Sequence, residues 1–353
     1  MQRPSSQPQV TGAGDHIPWY SRSMLNHAYN NKAIVIAPDY PLGPEANYTD
    51  ISKAMSDFLR FYRMDGCFED GVDNWTEWLT KETDKSFTID RNNLFIEGES
   101  AGGHAAVTAL FHNARSKKEF RLPIKAVFLR YPMIKHYKRE EPANRVLDFM
   151  GHQYPMAVVN EKAQALKKEI LKLEDMKVGD TDDNRRGYVR TRTKGYAPQY
   201  MWPAPLLSIT GEWQWLFQRE HGLGNVEGKA GEPKNLDAVE KVERLAVTVD
   251  HESFPPIVIH HGVDDPNCPF ENTKAFKEAL HKHFPTRYPK RKDEKDEVTD
   301  ERVYLIPVTE LMEKDGIEKN HSGKVGHGYD YWQLKEPFIL QSYDHVKRFW
   351  PKE

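Results

Sequence analysis

Short apolar runs bounded by turn residues alternate along this chain with longer stretches in which apolar positions recur every three or four residues. Residues 33–37, "AIVIA", form a β-branched run that ends in the Pro/Gly-punctuated "PDYPLGPE", which predicts a buried strand and a turn. Before it, "HIPWYSRSMLNHAYN" sets Ile17, Tyr20, Met24 and Ala28 at helical spacing. After it, "YTDISKAMSDFLRFYR" repeats that spacing with Ile51, Ala54, Met55, Phe58 and Phe61, and Thr49 or Asp50 is placed to cap the helix. Four more strands are expected at "NLFIEG", 124–132, 255–262 and 302–308. Helices are expected at "SAGGHAAVTALFHNAR", at 272–284 and at 335–350. Strand alternating with helix predicts an α/β class chain with a doubly wound, mostly parallel sheet.

The alternation stops between 138 and 250. This stretch holds a charged amphipathic helix, "EKAQALKKEILKLED", a polar segment, "TDDNRRGYVRTRTKGY", and an aromatic patch, "QYMWPAPLLSITGEWQWLF". It is too long for an ordinary loop and reads as a cap or lid, mostly helical. Residues 288–302, "YPKRKDEKDEVTDER", read as a charged, solvated loop. The organisation expected is one domain over 1–350 carrying the 138–250 insertion.

Composition narrows the class. The chain of 353 residues carries 8 Trp, 16 Tyr and 16 Phe, enough aromatic surface for a core. Its formal net charge is −3 with basic and acidic residues interspersed, so nucleic acid is not an expected partner. Its two cysteines, Cys67 and Cys268, make no disulfide framework. The first residues show no apolar leader, and no stretch approaches 18 apolar residues, so a cytoplasmic protein without a membrane span is expected.

Candidate chemistry begins at Gly98-Glu99-Ser100-Ala101-Gly102, a G-x-S-x-G pattern lying between a predicted strand and an alanine-rich helix. That context would lift the serine hydroxyl out of the sheet on a strained turn, and flanking glycines let neighbouring backbone approach. A nucleophilic serine needs a base, and the base an orienting carboxylate. "IVIHHGVDDPNCP" supplies an acid, Asp265 or Asp264, just past a predicted strand. "GKVGHGYDYW" supplies His327 between two glycines, with His321 as its rival in the same loop. Serine, acid and histidine therefore follow in an order that one hydrolase fold requires, each on a loop after a strand. His104 reads as a packing or hydrogen-bonding residue. His260 and His261 lack metal-ligand spacing, and no cofactor is expected. Trp202, Trp213, Trp215 and Phe217 fit either a substrate pocket or the insertion's own core.

These motifs resemble the α/β-hydrolases, in particular the branch of hormone-sensitive-lipase-like esterases. "APDYPLGPEANY" is similar to that branch's D-Y-R-L-A-P-E segment, with Pro41 for the arginine and Gly43 for the alanine. "GESAGGH" is similar to its G-D-S-A-G-G, and "GHGYD" to the H-G-F around its histidine. "HHGVDDPNCP" resembles H-G-x-x-D-x-x-V-P, a spacing that selects Asp265. The resemblance covers roughly 15–135 and 255–350. It implies a serine hydrolase in which Ser100, Asp265 and His327 form the catalytic set and the Ala101 N–H binds the oxyanion. A roomy lid with aromatics would suit a small to medium hydrophobic ester, lactone or amide, and a peptidase or amidase of the same fold is the alternative.

In that family further oxyanion donors come from an H-G-G-G loop, expected here near residues 5–14. The sequence there reads "SSQPQVTGAGDH", without it. By the same resemblance the 33–37 strand corresponds to the family's fourth, so a sheet edge is expected to be bare. A shortened start is one account; a hydrolase-like binding protein that has lost activity is the other. A homodimer covering that edge is a further hypothesis.

Overall fold

The computed structural model of the protein describes residues 20–38, 40–41, 46–63, 90–136, 138–149, 152–174, 203–219, 236–290, 302–312, 325–330 and 333–350. Among the described residues its centre is a four-stranded parallel sheet, β1 (Leu94–Glu99), β2 (Ile124–Arg130), β5 (Ile257–Gly262) and β6 (Val303–Val308), in the order β1-β2-β5-β6. The helices that flank it are α1 (Arg22–Asn30), α2 (Tyr48–Arg63), α3 (Ala101–Arg115), α7 (Ala238–Leu245), α8 (Phe270–His283) and α9 (Pro337–Lys347).

Period-two alternation in the two inner strands sorts the core into faces. Val127, Leu129, Ile257 and Ile259 point towards a layer built by α3, α7 and α8, with Phe111, Val242, Phe276 and Phe284 among its members. Ala126, Phe128 and Val258 point the other way, onto Phe338, Ile339, Tyr343 and Val346 of α9. α1 lies on that second face, where the His27 ring stacks on Tyr343 at 4.2 Å. Helices on both faces of a parallel sheet are the doubly wound arrangement the sequence predicts.

Three local expectations are corrected. The run 33–37 forms no strand: among the described residues no ladder pairs it, and Ile34 and Val35 are 41% and 40% exposed. β-branched residues favour extended backbone, but a strand exists only with a neighbour to accept its hydrogen bonds. The cap of α2 falls earlier than Thr49 or Asp50. Asn47 and Asp50 exchange reciprocal bonds, Asp50 N to Asn47 Oδ1 at 3.0 Å and Asn47 N to Asp50 Oδ2 at 2.9 Å, so Asn47 is the cap and Asp50 its return partner.

The third correction concerns 138–250. It contains an antiparallel hairpin, β3 (Val146–Phe149) with β4 (His152–Pro155), as well as the helices α4 (Met156–Glu174), α5 (Pro203–Thr210) and α6 (Trp213–Gln218). Leu147, Met156, Val159, Ala163, Leu206 and Ile209 make a small core of their own. Its last part belongs elsewhere: Ala238, Val239, Val242 and Leu245 of α7 are buried in the main core beside α3 and α8. A capping box, Asp237 with Glu240, starts that helix. Of the charged loop 288–302, residues 291–301 lie outside the described residues, and Tyr288 is fully buried, donating to Pro255 O at 2.6 Å.

Candidate active site

β1 ends at Glu99 and α3 begins at Ala101, so Ser100 alone makes the turn. Its backbone sits at φ 48, ψ −122, a region that costs a non-glycine residue roughly 1–3 kcal/mol. The turn is held from both sides. Ser100 N donates to Arg130 O at 3.0 Å, and Ser100 O accepts from Gly103 N at 3.0 Å and Met133 N at 2.6 Å. Two glycines are required by close approach. A Cβ at Gly98 would lie 2.5 Å from Gly102 O, and one at Gly103 would lie 2.3 Å from Pro132 Cβ. Gly103 lies outside the five-residue pattern and is the last glycine of the longer segment that resembles G-D-S-A-G-G.

The structure brings the three sequence-predicted side chains together. His327 Nε2 lies 2.9 Å from Ser100 Oγ, and His327 Nδ1 lies 2.7 Å from Asp265 Oδ2. Asp265 Oδ1 accepts from Asn267 N at 2.8 Å and Cys268 N at 2.9 Å, and Oδ2 lies 3.3 Å from His261 Nε2. These bonds fix the carboxylate in a buried position, while Asp264 beside it is exposed. Of the other predicted residues, His321 and Cys67 lie outside the described residues, as do residues 5–14 where further oxyanion donors were sought. Ala101 is the first residue of α3, so its N–H has no partner within the helix.

Burial opposes charge on Asp265, but His327 and the bond from His261 outweigh it and hold the carboxyl well below its ordinary range. Burial likewise opposes protonation of His327; the Asp265 carboxylate, helped by Glu99 and Asp330, raises its pKa nonetheless. The imidazole side chain remains 19% exposed. Cys268 is the reverse case: burial and then Asp265 push its thiol well up, leaving it neutral.

The remaining candidates take structural roles. His104 is buried, its ring stacked on Tyr48 at 4.1 Å, and Tyr48 continues through Phe217 at 4.8 Å to Trp213 at 5.3 Å. Trp213 and Phe217 are therefore core, shared with α2 and α3, while Trp215 is half-buried and Trp202 lies outside the described residues. His261 is bound by Thr273 Oγ1 at 2.8 Å and Cys268 O at 2.7 Å. Among the described residues no group of three metal-ligating side chains is assembled.

Sequence reasoning missed a buried charged cluster beneath the site. Arg130, 2% exposed, contacts Glu97 at 2.8 Å, Asp330 at 2.9 Å and Glu99. His260 Nε2 lies 2.9 Å from the same Asp330 oxygen, and Tyr131 OH donates to Glu99 at 3.3 Å. Its one local trace is that charged residues stand inside two runs otherwise patterned as buried strand, and nothing local pairs them.

A family model described as the alpha/beta hydrolase fold matches residues 13–177. A "probable carboxylesterase" of Phoma sp. is 25% identical over 278 residues, which span 77% of this chain and 69% of that protein. Among solved structures, carboxyl esterase 2 of Tuber melanosporum aligns with 92% of this chain and 71% of its own at 15% identity and a TM-score of 0.40. An esterase of Thermogutta terrifontis aligns with 94% of this chain and 75% of its own at 15% identity and a TM-score of 0.37.

Proposed function

We propose that this chain, an α/β-hydrolase of the esterase-rich branch its motifs resemble, is a serine carboxylesterase acting through an acyl-enzyme on Ser100. One observation carries the reading: a strained serine, a histidine and a buried carboxylate from three distant chain segments stand in line at 2.9 and 2.7 Å. In this reading the Ser100 hydroxyl gives its proton to His327 Nε2 as Oγ attacks the ester carbonyl. The Ala101 N–H, at the positive end of α3, faces the oxygen that becomes an anion. His327 then returns the proton to the departing alcohol, and water repeats the sequence to free the acid. Asp265 keeps the Nδ1–H tautomer and stabilises the imidazolium between the two steps.

The substrate class is a small to medium hydrophobic ester, with lactones and amides as neighbours in chemistry. Domain organisation follows the same reading: one hydrolase domain whose cap is the hairpin with α4–α6. Among the described residues no helix is long and apolar enough to cross a membrane. A cytoplasmic site of action belongs to the proposal.

The test is labelling of purified protein by a fluorophosphonate probe, with Ser100→Ala and His327→Ala alongside. Labelling of the wild type alone, followed by turnover of p-nitrophenyl esters, is the expected result. A folded wild type that neither labels nor hydrolyses the esters overturns the reading in favour of a hydrolase-like binding protein.

A further inference from the structure

The buried cluster around Arg130 lies outside the proton path just described, yet it touches the residues that flank the nucleophile and the turn that carries the base. Arg130 closes β2, the strand between β1 and β5. Its backbone oxygen accepts from the nucleophile's own N–H at 3.0 Å. Its side chain meets Glu99, the residue before Ser100, and Asp330, three residues past His327 in the same turn. The Asp330 side chain is completely buried, and His260 of β5, five residues ahead of Asp265, shares its Oδ2. Tyr131, the next residue, sets its ring edge-on to His327 at 4.8 Å and packs on Tyr329 at 5.5 Å.

A guanidinium cannot shed its charge, so a 2% exposed arginine must keep its carboxylates close. That requirement makes it a rigid three-way link: its planar fork fixes directions as well as distances. The turn 327–330 contains a left-handed glycine, Gly328 at φ 70, and carries the base on residues that form neither helix nor strand. Asp330 is its charged anchor. Loss of that anchor frees the turn to move by an ångström or so, a displacement that typically costs about 10²-fold in rate.

We propose that Arg130 is a positioning residue: through Asp330 on one side and Glu99 on the other, it sets His327 in register with Ser100. This rests on the esterase reading for its rate consequence, but the geometry it asserts is measurable without turnover.

The experiment compares wild type with Arg130→Lys and Asp330→Asn, all checked for folding by circular dichroism. Lysine keeps the charge and loses the fork; asparagine keeps the shape and loses the ion pair, so it serves even where the lysine variant does not fold. Three quantities are read: kcat, KM on p-nitrophenyl butyrate, and the downfield proton resonance of His327 Nδ1 bound to Asp265. The expected result is a kcat lower by roughly 10²-fold with KM little changed, and a shifted or broadened Nδ1 proton in both variants. Variants that lose only thermal stability, with kcat and the Nδ1 resonance as in wild type, overturn the proposal and leave Arg130 a structural ion. A fall in kcat with an unaltered Nδ1 resonance overturns it too, because the base has not moved. If wild type itself is inactive, the esterase reading fails on its own; the Nδ1 comparison still decides the positioning role.

Discussion

Asp265→Asn separates the orienting carboxylate from mere packing, because the two side chains have almost the same shape. In the wild type, Asp265 Oδ1 accepts from Asn267 N and Cys268 N while Oδ2 faces His327 Nδ1 at 2.7 Å. Asparagine satisfies the two backbone donors only with its oxygen in the Oδ1 place. Its amide NH₂ then points at Nδ1, donor against donor, and the imidazole must carry its proton on Nε2 instead. That nitrogen no longer accepts from Ser100. The expected loss is about 10⁴-fold in kcat, roughly 5 kcal/mol in the barrier. A second effect has a sign fixed by the electrostatics. The Asp265 carboxylate is the main influence that raises the His327 pKa against burial, so removing it lowers that pKa. The acid limb of the kcat/KM profile then moves to lower pH even as the ceiling drops. The assay is the pH dependence of p-nitrophenyl ester turnover, with Asp264→Asn as the control expected to stay within about threefold of wild type, the range of an exposed side chain outside the site. A loss below tenfold in Asp265→Asn, or an equal loss in the Asp264 variant, refutes the assignment.

Two more predictions follow from contacts already described. Gly98→Ala drives a methyl to 2.5 Å from Gly102 O, a backbone atom that yields only if α3 shifts; the expected cost is about 1–3 kcal/mol in urea unfolding. The moved serine should also label with fluorophosphonate at least 10²-fold more slowly. Glu97→Gln tests the charged cluster through pH. Burial, opposed by Arg130 and reinforced by Asp330 and Glu99, raises the Glu97 carboxyl from 4.5 to about 7. The folded state then holds a proton the unfolded chain releases between those values, so wild-type stability is full below 4.5 and falls as pH climbs through 7. The span is worth roughly 3 kcal/mol, and urea midpoints measured from pH 4.5 to 8 should slope less in the variant by that amount. Parallel slopes would show that Glu97 ionises normally.

What the chain reveals to sequence reading and what it hides divide along a physical line. Ser100 and Asp265 were legible because each stands on a loop just after an apolar run, and His327 because it sits between two glycines ahead of the last helix; local pattern marks such places. The inner strands were legible for the same reason: β2 and β5 are apolar on both faces, with Val127, Phe128, Val258 and Ile259 wholly buried. The 33–37 run misled because its composition favours extension, whereas pairing depends on a neighbour that no local window contains. The hairpin β3–β4 escaped notice because its four-residue strands offer too few positions for an alternation to stand out. α7 was assigned to the cap by its place in sequence, although its stripe of Val239, Val242 and Leu245 belongs to the main core. The Arg130 cluster was hidden because charge compensation is a property of three dimensions. Glu97, Arg130 and Asp330 mean little until the sheet sets them side by side.

The serine and histidine that meet at 2.9 Å are 227 positions apart along the chain. A growing polypeptide that has emerged as far as β2 already carries its nucleophile and its arginine, but neither the acid nor the base. The hydroxyl is then no more reactive than that of any surface serine, because nothing nearby takes its proton. The three side chains meet only when β5 and β6 have joined the sheet in parallel and the turn 327–330 is in place. Parallel pairings over such separations are slow to form because the loop entropy is lost before any contact repays it. The same separation that delays assembly thus leaves the half-made chain without its complete set of three side chains, and ties their meeting to the last stage of folding.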